Sequence, residues 1–312
     1  MTSNIIRKPR ALREGDRVAV VAPASPFDRD GFERGLTELR SLGFEPVHQP
    51  SVFARTGYMA GSAQVRADAL MQAWREPSIA AIVAARGGYG SVHLLPLLDR
   101  SVFAGPPKAF IGYSDNTSLM TWLTLTCGIV TFHGPMIEGR FARGAEGYDR
   151  DTFERCLMNA APAGAITHPS LEVIKDGSAS GMLIGGTMTQ LAVSLGTPYA
   201  FDPPDGSVLF LDEVGERPYR VDRIYTQLRL AGIIDRASAL VFNELPRCTE
   251  PSGPSTVREL VTELTRDFDV PVLFGLPSGH TDGPTLTLPF GVTARVEGRA
   301  TPALVIEEAA VG

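Results

Sequence analysis

The 312-residue sequence predicts an α/β fold: an N-terminal parallel-sheet domain with flanking helices, followed by a C-terminal mixed, β-rich domain. Three features lead to it. In the first half, short apolar runs alternate with amphipathic segments, the order of strands that cross over through helices. From about 159 to 180 the chain turns to Ala, Pro, Gly and Ser (NAAPAGAITHPS), the composition of an exposed connection. In the tail, short segments of alternating character are joined by PFG and EGRAT turns. The expected division is 1–160 for the first domain, 161–180 for a linker and 181–312 for the second.

Strands are expected at 17–22, 80–84, 109–113 and 128–132, each nearly all apolar, as a strand covered on both faces should be. Helices fall between them. At 30–41, Phe32, Leu36 and Leu39 recur at helical spacing; 62–75, 92–98 and 116–125 are the others. Beyond the linker, strands are expected at 182–184, 207–211 and 239–242, with helices at 187–195, 220–231 and 255–268. The alternating tail strands are 285–288, 292–296 and 303–307.

Composition narrows the classes of function. With 44% hydrophobic and 21% charged residues the chain is an ordinary globular one. A net charge of −6 without any Lys/Arg run gives no footprint for a phosphate backbone, so no nucleic-acid partner is expected. The longest apolar stretches, VAVVAPA and IAAIVAA, fall far short of the roughly 20 residues a membrane-spanning helix needs. No apolar run of signal-peptide length follows the basic N-terminus. The three cysteines, Cys127, Cys156 and Cys248, are widely spaced and form no CxxC pair. A cytoplasmic protein with reduced thiols, no metal and no cofactor is the expectation.

The sharpest chemical signal is KAFIGYSDNTSLMTWL, a buried strand that ends in a turn at Ser114 and runs at once into a helix. A serine there projects its hydroxyl from the carboxyl edge of a parallel sheet, where the next backbone N–H, that of Asp115, can help hold an oxyanion. The turn matches half of a nucleophile elbow, because Asn116 stands where a second glycine would. Ser114 would serve equally as a plain helix cap. Upstream, Ala85-Arg86-Gly87-Gly88-Tyr89-Gly90 follows a strand, and its glycines permit close backbone approach to a ligand. It is neither GxGxxG nor GxxxxGK[ST], so nucleotide binding has little support. Gly87 or Gly88 could supply an oxyanion amide there, and Arg86 could face a substrate carboxylate; a turn with a surface arginine is the simpler alternative.

A serine nucleophile needs a base, and the chain has five histidines. His48, His93 and His168 sit where structural roles suffice. His133, in TFHGPM, follows the strand after the turn and is a reserve candidate. His280, in GLPSGHTDGPTLTLPFG, lies in a glycine-rich loop able to project an imidazole into a cleft. A carboxylate to orient it could come from Asp212 or Glu213, which end an apolar strand in SVLFLDEVGERPYRVDR. Neighbours in a strand face opposite ways, so only one of the two can serve.

Taken together, VAVVAPASP, ARGGYGS, FIGYSDNTSL, TFHGPM, GGTMTQLAVSLGTPY, LFLDEVGERPYRVDR and GLPSGHTDGPTLTLPFG resemble the serine LD-carboxypeptidases, or murein tetrapeptide carboxypeptidases, a family that includes the microcin-immunity peptidases. The resemblance spans nearly the whole chain. It implies Ser114 as nucleophile, His280 as general base, and the residue after LFL as the acid; the family usually reads Glu-Asp there, whereas this chain reads Asp212-Glu213. It implies an active site between the two domains, a homodimer, and release of terminal D-alanine from a cytoplasmic muropeptide. The amides of Asp115 and Gly88 would hold the oxyanion, and Arg86 or Arg220 the terminal carboxylate. Cleavage of a peptidyl-nucleotide antibiotic and a non-catalytic muropeptide-binding module are the alternatives.

Overall fold

The computed structural model describes residues 6–250 and 256–312. The first apolar runs form β1 (Arg17–Val21), β2 (Glu45–Val47), β3 (Ile79–Ala84), β4 (Ala109–Gly112) and β5 (Thr131–His133). They lie in the order β5-β4-β3-β1-β2 with every pair parallel. β3 and β4 bury every residue, which is why their sequences carry no polar alternation.

Helices α1 (Arg29–Ser41) and α2 (Ala63–Arg75) start where a side chain can take an orphan N–H: Asp28 accepts from Gly31, and Ser62 from Val65. α3 (Thr117–Thr121) is shorter than the predicted 116–125, because the chain widens at 122–126 into i→i+5 turns. The predicted helix at 92–98 is a 3₁₀ segment over Ser91–Leu97, with Pro96 unable to donate to an α-helical ladder. Gly128 adopts φ 64°, so the strand predicted from 128 begins at Thr131.

Past α4 (Arg150–Leu157), the stretch expected as a linker holds strands instead: β6 (Pro162–Ile166), β7 (Glu172–Lys175) and the start of β8 (Gly177–Thr187). β6 and β7 are the two edge strands of the second sheet, and an edge tolerates the proline that opens β6. α5 (Met188–Val193), β9 (Val208–Asp212), α6 (Pro218–Leu230), β10 (Ala239–Phe242), α7 (Val257–Leu264), β11 (Val272–Phe274), β12 (Leu288–Phe290), β13 (Thr293–Gly298) and β14 (Ala303–Ala309) follow. The start predicted for α7 at 255 lies outside the described residues.

The second sheet runs β6-β14-β13-β8-β9-β10-β11-β7, parallel from β8 to β11 and antiparallel on either side. One strand from the tail departs from it. β12 pairs antiparallel with β5, Leu288 opposite His133, and so joins the edge of the first sheet. The carboxyl ends of β4 and β9 lie on either side of His280, with Ser114 just past the first and Asp212 closing the second.

Candidate active site

Ser114 adopts φ 63°, a left-handed conformation that costs a non-glycine residue about 1–2 kcal/mol. That conformation turns the chain sharply from β4 into α3 and exposes the hydroxyl. Asn116, in the place of the second glycine, has a structural role: its side-chain amide donates to Tyr113 O at 3.1 Å and to Arg86 O at 3.3 Å, tying the turn to the glycine loop.

His280 meets that hydroxyl. Its Nε2 lies 3.1 Å from Ser114 Oγ, and its Nδ1 lies 2.7 Å from Asp212 Oδ2. An imidazole protonated at Nδ1 donates to the aspartate and leaves Nε2 free to accept the serine proton. Asp212 is fully buried and well supplied with donors: Thr187 Oγ1 at 2.9 Å, the His280 backbone N–H at 3.2 Å, and the Asn243 amide. Burial by itself would raise the Asp212 pKa, yet the His280 charge and hydrogen bond outweigh it and hold the carboxyl below its usual range. The same pairing acts in reverse on His280, where burial pulls the pKa down and Asp212 carries it above the ordinary value.

Glu213 points elsewhere. Its carboxylate accepts from Thr189 Oγ1 at 2.6 Å and from the Thr189 and Val214 backbone N–H groups at 3.0 and 3.1 Å. Burial leaves its pKa raised in spite of these donors. Of the two adjacent acids, only Asp212 faces the imidazole.

The glycine loop packs on the serine. A Cβ at Gly87 would sit 2.8 Å from Ser114 Cβ and 3.0 Å from its Oγ, so only glycine fits. Gly88 faces Ser25, whose Oγ accepts from Tyr89 N at 3.1 Å. The Asp115 carboxylate accepts from Gly90 N at 3.2 Å and Ser91 N at 2.8 Å, which clamps the loop to the serine turn. Among the described residues, the backbone N–H groups of Gly88 and Asp115 donate no hydrogen bond within the chain. Both are available to an oxyanion.

The two proposed carboxylate binders are not drawn into this network. Arg86 donates to Pro26 O at 3.0 Å and lies 3.6 Å from Glu138; Arg220 pairs with Glu216 at 2.5 Å, one turn back across the start of α6. His133 is buried against the acid, with Nε2 4.0 Å from Asp212 Oδ2 and Nδ1 2.9 Å from Ser278 Oγ, and does not reach the serine. Burial lowers its pKa to about 4, which keeps it neutral.

Three residues of the site have no role expected from the sequence: Asn243, Thr187 and Arg140. Asn243 donates both to Asp212 and, at 2.7 Å, to His280 O. Arg140 is buried and donates to Gly279 O and Thr281 O at 2.8 Å each and to Gly283 O at 2.9 Å. None stands in a spacing that suggests a ligand or a catalytic group; each acts through backbone or through another side chain. Among the described residues no cluster of His, Cys, Asp and Glu could hold a metal ion.

Two family models match this chain, the LD-carboxypeptidase N-terminal domain over residues 18–134 and the LD-carboxypeptidase C-terminal domain over 180–296. A Streptomyces coelicolor protein named as a carboxypeptidase is 36% identical over 93% of each chain. The murein tetrapeptide carboxypeptidase of Pseudomonas aeruginosa is 32% identical over 90% of this chain and 93% of its own. Among solved structures, the microcin C7 self-immunity protein MccF superposes with a TM-score of 0.88 at 24% identity, over 98% of this chain and 99% of that one, a likeness of fold.

Proposed function

The chain belongs to the LD-carboxypeptidase family, and from that premise we propose that it releases terminal D-alanine from murein tetrapeptides by serine catalysis. The observation that carries the chemistry is the unbroken line from Asp212 through His280 to the Ser114 hydroxyl. His280 takes the serine proton as Ser114 attacks the carbonyl carbon, and Asp212 stabilises the imidazolium that results. The Gly88 and Asp115 amides receive the oxyanion. When the tetrahedral intermediate collapses, His280 returns the proton to the departing amine of D-alanine. Water, deprotonated by His280, then attacks the acyl-enzyme and frees the tripeptide.

The substrate rests on the murein tetrapeptide carboxypeptidase relative. A carboxypeptidase must hold a free carboxylate, and Arg86 is the preferred partner because it stems from the loop that carries Gly88; Arg220 is the second choice. The three free thiols support a reducing, cytoplasmic setting, where muropeptides are recycled. A homodimer is part of the same reading, by resemblance, and the match of two separate family models supports a two-domain division.

The test is to incubate the protein with a muropeptide ending in D-alanine and assay free D-alanine beside Ser114→Ala. Release by the wild type and its loss in the variant is the expected result. Equal release by both would remove Ser114 as nucleophile. No release by either, with cleavage of a peptidyl-nucleotide amide instead, would move the assignment to an immunity-type peptidase.

A further inference from the structure

A buried guanidinium normally has a carboxylate beside it, because an unpaired charge out of water is costly. Arg140 has none within ion-pair distance among the described residues. It is buried at the end of the segment that follows β5, and every partner it has is neutral: the Gly279, Thr281 and Gly283 carbonyls, Gly147 O at 3.4 Å, and the Tyr113 hydroxyl at 3.3 Å from its Nε.

The pattern of these partners is informative. Gly279 and Thr281 flank His280, so one Nη2 grips the backbone immediately before and immediately after the imidazole. The Tyr113 ring precedes Ser114 and packs edge-on against the His280 ring at 5.2 Å between centroids, while the Arg140 guanidinium lies 5.8 Å from the same tyrosine ring. One side chain thus holds the histidine loop and touches the residue before the serine. A lysine could supply a charge here but not this fork of donors.

We infer that Arg140 is a positioning residue with two separable actions: its donor fork fixes the loop on either side of His280, and its unpaired positive charge opposes protonation of the imidazole. The inference rests on the reading of Ser114 and His280 as nucleophile and base.

The charges around His280 come from several directions. Burial disfavours the imidazolium, Asp212 and Glu213 at the end of β9 favour it, and Arg140 from the segment after β5 adds a smaller opposing charge. Neutral His133 ends β5, and Tyr113 and Ser114 follow β4. Glu244, which accepts from Thr281 Oγ1, and the exposed Asp282–Arg247 pair lie on the outer part of the loop. Asp212 favours the imidazolium, the form that cannot act as base. A fixed cation bound to the histidine's own loop limits that.

Arg140→Lys keeps the charge and loses the fork; Arg140→Met loses both. The two actions are read separately by NMR titration of histidine-labelled protein, with the His280 signal assigned from His280→Gln, and by the pH profile of D-alanine release. Arg140→Met is expected to raise the His280 pKa, and to move the acid limb of kcat to higher pH with it. Arg140→Lys is expected to leave that pKa in place while kcat falls roughly tenfold at unchanged KM. A His280 titration in Arg140→Met that coincides with the wild type, or full kcat in Arg140→Lys, overturns the inference. Should Arg140→Met fail to fold, Arg140→Gln gives the neutral comparison, and the Lys variant decides the geometric half unaided. The titration needs no substrate, so a wild type that releases no D-alanine would sink the proposed substrate and leave the titration to decide the charge.

Discussion

Asp212 and Glu213 are neighbours in sequence with opposite surroundings. Every donor around Asp212 belongs to the histidine or to its supports, whereas Glu213 is tied to the start of α5. Asp212→Asn should therefore lower kcat by roughly 10⁴, since an amide cannot both hold the Nδ1–H tautomer and stabilise the imidazolium. Glu213→Gln should cost less than about tenfold, because a glutamine oxygen still accepts from Thr189. Steady-state kinetics of the two variants side by side test this, and equal losses would mean that the acid is not assigned by contact. At this scale the sequence was legible where a residue type is scarce and its chemistry narrow, as with His280 and Ser114. The choice between adjacent acids needed the pleat of β9. Asn243 and Arg140 were illegible because they act on backbone carbonyls and on other side chains, and no spacing encodes that.

Among the elements, the join of β4 to α3 and the loop from Arg86 to Gly90 work as one part. Asp115 takes the Gly90 and Ser91 N–H groups, and buried Arg66 holds Gly90 O at 2.7 Å, so both proposed oxyanion donors are anchored to the same frame. Gly87→Ala introduces a methyl where Ser114 Cβ and Oγ already stand. The serine must turn away or the loop must retreat. The expected result is a folded protein with a near-native melting temperature and kcat reduced by at least about a hundredfold. Activity close to the wild type would show that the loop yields without harm. β3 and β4 were readable because burial on both faces leaves a continuous apolar run. β6 was not, because an edge strand with one open side can be built from the same Ala, Gly and Pro that make a loop, and β7, at four residues, is too short to show a pattern. The wide turns at 122–126 escaped detection for a different reason: i→i+5 and i→i+4 geometry draw on the same residues.

For the molecule as a whole, His133 links acidity to stability. Burial depresses its pKa from 6.5 to about 4. Between those values the unfolded chain binds the proton and the folded one does not, so stability rises with pH across that window and is lost as pH falls through it. The full depression is worth on the order of 3 kcal/mol. Urea denaturation at a series of pH values should give a steeper dependence in the wild type than in His133→Asn; identical slopes would assign acid lability to other groups.

Leu288–Phe290 lies beside His133 in the first sheet, although the strands on either side of it in sequence belong to the second. The two family models draw their borders at 134 and 180, yet a chain cut between them would strip β5 of its outer neighbour and leave a bare row of amide and carbonyl groups on the N-terminal fragment. Chain synthesis sets an order on assembly as well: the first sheet waits for residue 290 before its edge is closed, so Ser114 and His280 come into register only after β12 has been made. A nascent chain of this protein would thus be silent as a hydrolase until β12 is in place.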